Sequence, residues 1–182
     1  MRTRREALAL AAAGGLAPLA LPTAATALRL EALRKIERRI VGGSVHAEQL
    51  AAVAFEAIAN GGVLDDRTTA TVRILLDHAS EHAELLEKAF KEAYGDEPPL
   101  PPRRAEIPGL SGLSSQRDAL RLATEIENHA IAAHITSVRH THKGALLELI
   151  AGVAGSDAQG LVLLRQLLSR PPVPSAFERG RT

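Results

Sequence analysis

Asp77-His78-Ala79-Ser80-Glu81-His82 lies midway along a segment with helical periodicity, marked by Val72, Leu75, Ala79, His82, Leu86 and Phe90. Spacings of three and four put those six residues on one stripe of a helix. His82 is the polar member of that stripe, and a buried imidazole needs a hydrogen-bond partner. The rest of the chain therefore has to supply one.

Three more helical segments follow from the same periodicity. The first covers about 30–59, on Val41, Val45, Glu48, Ala52, Phe55 and Ala59, with Gly42-Gly43 as a break point. Asn60-Gly61-Gly62 ends it, and Asp65 or Asp66 caps the His82 helix, which Gly95 stops. Ser114 or Ser115 opens a third helix to about Thr141, on Leu120, Ala123, Glu127, Ala130, Ile131, His134 and Val138. After Lys143-Gly144 a fourth runs to about Ser169, on Leu146, Leu149, Val153, Asp157, Gly160, Leu161, Leu164 and Leu168. Glu97-Pro98-Pro99-Leu100-Pro101-Pro102 cannot be helical and favours an extended path. The reading is all-α: a four-helix bundle of two helical hairpins joined by a long Pro-rich crossover.

Composition agrees. Apolar residues make up 46% of the 182 and aromatics 2%, so the core is built from Leu, Ala, Ile and Val. A formal charge of +1 and a single Tyr argue against nucleic acid as a partner. The absence of cysteine removes disulfides and thiolate metal sites.

Residues 1–27 read differently from the rest. Arg4-Arg5 opens them, an apolar run covers 7–21, and small residues close them at Thr23-Ala24-Ala25-Thr26-Ala27. That order describes an export signal, twin-arginine-like, ahead of a bundle domain at 28–182. The apolar run is shorter than the roughly 20 residues of a membrane span. Its removal leaves a mature chain of about −1 net charge, with no integral span expected. An N-terminus that is not a signal would leave the protein in the cytoplasm.

Each bundle helix carries one ionisable residue on its stripe at a similar depth. Glu48 stands about 15 residues before the first hairpin turn and His82 about 19 after it; Glu127 stands about 16 before the second turn and Asp157 about 14 after. With the crossover spanning the bundle, Glu48, His82, Glu127 and Asp157 share one interior layer and are the candidate metal ligands. Three buried carboxylates need a cation, protons or hydrogen bonds. His134 reads as a core histidine bonded to a neighbour, His78 as a flank residue, and His129, His140 and His142 as surface residues. No catalytic residue is assigned.

The segments Ala47-Glu48-Gln49-Leu50-Ala51-Ala52-Val53-Ala54-Phe55-Glu56, Asp77-His78…Glu81-His82-Ala83, Glu127-Asn128-His129-Ala130-Ile131-Ala132-Ala133 and Val162-Leu163-Leu164-Arg165-Gln166 resemble exported bacterial ferritin-like domain proteins. In that superfamily a dimetal site takes one Glu from each of two helices and a Glu-x-x-His pair from each of the other two. The resemblance aligns Glu48 and Glu127 with the lone glutamates, Ala79…His82 with one pair and Asp157…Gly160 with the other. Six ligands shrink to four. The resemblance thus implies a degenerate site in a non-enzymatic bundle with a binding, structural or stress-protective role and no required cofactor. The alternative is a redox or iron-handling protein with a reduced iron or manganese site on the same four residues. A homo-oligomer is compatible with either, and no protein partner is specified.

Overall fold

A computed structural model describes residues 24–174; the expected export signal, apart from 24–27, and the short Ala176-Phe177-Glu178 tail, which the sequence reads as packing back through Phe177, lie outside the described residues. The chain divides into two compact units, Met1–Leu33 and Arg34–Thr182. Four long helices are described: α1 (Ala24–Ala59), α2 (Asp66–Tyr94), α3 (Gln116–His140) and α4 (Gly144–Leu167). Two 3-10 turns, Arg104–Glu106 and Leu110–Gly112, interrupt the crossover between α2 and α3. There is no strand among the described residues. The fold is an all-α four-helix bundle, as the periodicity requires.

Local chemistry sets most boundaries. The Asp65 side chain accepts from the Thr68 N–H at 2.7 Å and caps α2, which ends on Gly95 in the left-handed region at φ 73°. Ser115 caps α3 by accepting from the Asp118 N–H. The expected break at Gly42-Gly43 is absent, and α1 is continuous. Gly42 serves packing instead: a Cβ there would lie 3.4 Å from the Pro99 ring and 3.7 Å from Phe90, so the crossover lies close against α1. Gln49 fastens it there, donating to the Pro99 carbonyl and to Glu87, each at 2.7 Å. Ile107 and Leu110 then bury in the opposite half of the core. The crossover therefore travels the length of the bundle, and α2 and α3 run parallel.

The apolar core comes in two parts. One gathers Phe55, Ile58, Val72, Leu75, Leu120 and Ala123 near the first hairpin turn. The other gathers Val41, Val45, Leu86, Phe90, Leu146, Ile150 and Val153 near the second. On α4 Ile150 is fully buried, whereas its neighbour Leu149 is half-buried. α4 is long and apolar enough to cross a membrane by length and composition, a property shared by core helices of soluble bundles. Glu37 ties the second end together, accepting from the Tyr94 hydroxyl at 3.1 Å, the Thr141 hydroxyl at 3.0 Å and the His142 N–H at 3.3 Å. Between the two apolar parts lies a layer of buried polar residues.

Candidate metal centre

Four helices feed that layer: Glu48 from α1, His82 from α2, Glu127 and His134 from α3, and Asp157 from α4. Glu48 is 1% exposed, Asp157 6%, Glu127 5% and His134 0%. Helical side chains tilt toward their own N-terminus. The N-termini of α1 and α4 lie at one end of the bundle and those of α2 and α3 at the other. Glu48 and Asp157 therefore lean one way, His82 and His134 the opposite way, and the four converge.

The contacts form a closed ring. Glu48 Oε1 lies 2.7 Å from His134 Nε2, and Glu48 Oε2 lies 3.3 Å from His82 Nδ1. Asp157 Oδ2 lies 3.1 Å from His134 Nε2, and Asp157 Oδ1 lies 3.3 Å from His82 Nδ1. Each carboxylate thus divides its two oxygens between the two imidazoles. The Glu48 contacts have hydrogen-bond geometry, while the Asp157 contacts are ion pairs, because one N–H cannot point squarely at two acceptors.

This ring governs protonation. Burial alone would lower both histidines, but the contacts with Asp157 and Glu48 outweigh it; His82 is raised to about 10 and His134 to about 9. Burial would raise Asp157, but the contacts with His134 and His82 outweigh it and hold its carboxyl below the usual range. Glu127 goes the other way: burial first, then the charges of Asp157 and Glu48, push it well above the usual range against the opposing pull of His82. Glu127 thus holds its proton more tightly than an exposed glutamate does.

Sequence depth had grouped Glu48, His82, Glu127 and Asp157. The structure gathers donor atoms of Glu48, His82 and Asp157 within 4.8 Å of one another, and Glu127 stands outside that group. Its carboxyl leans away with the tilt of α3 and fills the space beside Gly160, where a Cβ would meet Glu127 Oε1 at 2.8 Å and Leu75 Cδ2 at 3.0 Å. A cavity of about 10 Å³, room for roughly one water, remains between Glu127, Asp157, Ala79 and Gly160. His78 is exposed and lines the same cavity. His134 was the residue left out of the layer. Its Cα lies about five residues nearer the second turn than that of Asp157, some 7 Å by rise alone. The tilt of its side chain toward the α3 N-terminus makes up the difference. The signal was its place on the Glu127 stripe seven residues on, two turns later on one face.

The residues present could hold a metal ion. Three donors converge from three helices, whereas Ala79 and Gly160 supply none and the Glu127 carboxyl is the wall of the remaining space. A family model described as ferritin-like domain matches residues 38–170. Among curated proteins nothing matches the chain. Of solved structures, a conserved hypothetical protein from Mycobacterium tuberculosis is similar, at 16% identity and a TM-score of 0.67, covering 80% of this chain and 99% of that one. At that identity the likeness concerns the fold alone.

Two outcomes follow for the metal-free chain. Gly→Ala in a helix interior ordinarily stabilises by up to about 1 kcal/mol, and that sign is expected at Gly152 and Gly155, where a Cβ meets nothing within 4 Å. At Gly160 the sign reverses and Gly160→Ala lowers the urea midpoint; in a Glu127→Ala background, which opens the space, most of that loss disappears. The second outcome concerns pH. Histidines raised above their ordinary 6.5 contribute stability that is complete below that value and lost as pH climbs through about 9 and about 10. Glu127, raised by burial, works in the same direction, since its contribution is lost as pH rises above the ordinary glutamate range. Asp157 acts at the acid side, its contribution being lost as pH falls below the ordinary aspartate range. Urea unfolding should show stability falling steadily from pH 6.5 to 10, and less steeply in His134→Gln.

Proposed function

The chain belongs to the ferritin-like domain family, and from that premise we propose an exported bundle that has lost dinuclear catalysis and binds a single divalent transition-metal ion. Its role on this reading is binding or protection. The observation that carries it is the convergence of Glu48, His82 and Asp157, with donor atoms within 4.8 Å of one another, in a buried layer. The family plan requires further ligands at positions 79 and 160, which are Ala and Gly here.

Glu48, His82 and Asp157 would hold the ion. One imidazole with two carboxylates suits iron or manganese, whose chemistry in such a site is Lewis acidity or one-electron exchange. The protein's own part is to present the donors at a fixed depth and to hold the Glu127 carboxyl beside them. Two apolar core segments, one on each side of the layer, shield it from bulk water.

A second reading is a metal-free structural bundle. It is favoured by the two imidazoles, which already ion-pair with both carboxylates. Elemental analysis of protein purified from its native compartment without chelators separates the two. One iron or manganese per chain, lost in His82→Ala, is expected. Two ions per chain would overturn the loss of the dinuclear site, and none would favour the metal-free bundle.

Export is part of the proposal and is supported by the charged start, apolar middle and small-residue close of residues 1–27. Replacing both arginines, Arg4→Lys with Arg5→Lys, should leave the precursor in the cytoplasmic fraction of a host with a twin-arginine pathway. Normal export of that variant would rule out this route.

A further inference from the structure

The two sides of the ring are built differently. On one side His134 is fully buried, with Nε2 at 2.7 Å from Glu48 and 3.1 Å from Asp157. Its other ring nitrogen, Nδ1, is buried and meets no hydrogen-bond partner among the described residues. A histidine that ligates a metal through one nitrogen almost always donates from the other to a carboxylate, carbonyl or water, which fixes the ring. His134 lacks that support, and its Nε2–H is already engaged by the two carboxylates. On the other side His82 keeps 14% of its side chain exposed. Its Nδ1 stands 3.3 Å from both Glu48 Oε2 and Asp157 Oδ1, longer than a good N–H···O bond, and equally spaced between them.

We infer that His134 is a built-in clamp, hydrogen-bonded to Glu48 and ion-paired with Asp157 from one side, leaving one ion position on the side facing His82. His134 is then a positioning residue and not a ligand. By occupying one side of the carboxylate pair with an N–H, it limits the layer to a single ion and orients the two free oxygens toward it. This rests on the single-ion reading above.

The test uses cobalt(II) as the probe on the metal-free full-length protein, with melting curves recorded first. Wild type should take up one cobalt per chain with a d–d spectrum of its own. His134→Gln, which keeps an N–H donor, should bind with affinity of the same order and an unchanged spectrum. His134→Ala should weaken binding by about 10–100-fold, the usual effect of losing an orienting partner, with unchanged band positions. His82→Gln should lose or shift the bands. A spectrum of His134→Gln altered as by loss of a nitrogen ligand would overturn the inference while leaving the single-ion reading intact. So would unaltered affinity in His134→Ala. If His134→Ala fails to fold, the spectrum of His134→Gln decides the matter. No cobalt uptake by wild type overturns the single-ion reading itself, and the inference with it.

Discussion

The interior depends on one arrangement, two buried carboxylates each shared between two imidazoles. Glu48 and Asp157 would be costly alone in an apolar bundle, and so would His82 and His134. Joined in a ring, each charged group meets its opposite at 2.7–3.3 Å. The ring links all four helices, since each of its members comes from a different one. It also divides the apolar core into two separately packed parts, so that neither half of the bundle is continuous with the other except through this layer.

Around the ring, small residues govern which groups come close. Gly42 allows the crossover to lie against α1, where Gln49 fastens the Pro99 carbonyl. Gly160 and Ala79 leave room on the far side of Asp157, and the carboxyl of Glu127 turns into it. Gly160 thus has a packing consequence of its own. Its missing side chain lets Glu127 stay out of the group formed by Glu48, His82 and Asp157, in a pocket too small for more than about one water.

Legibility varied by residue. The periodicity of Val72, Leu75, Ala79, Leu86 and Phe90 made α2 readable, and the cap residues Asp65, Gly95 and Ser115 located three boundaries. Gly42-Gly43 misled because glycine lowers helix propensity by only about 1 kcal/mol, an amount tertiary packing readily overrides. Ile150 displaced Leu149 because a one-residue shift in phase changes which of two adjacent apolar residues faces inward. Counting residues from the turns compares Cα heights and ignores side-chain tilt. That is why His134 was read apart from the layer and Glu127 within its ligand set.

By itself the sequence determined the all-α class, the hairpin pairing, the family likeness and the presence of Glu48, His82 and Asp157 at one depth. These follow from local periodicity, helix rise and turn chemistry, which a linear chain records directly. Tertiary structure alone decided that His134 closes the ring, that Glu127 lies beside Gly160, and that the donor atoms of Glu48, His82 and Asp157 gather without Glu127. Those outcomes depend on the direction in which each side chain leaves its helix and on the space left by neighbours from other helices. No residue carries that information until all four helices are packed.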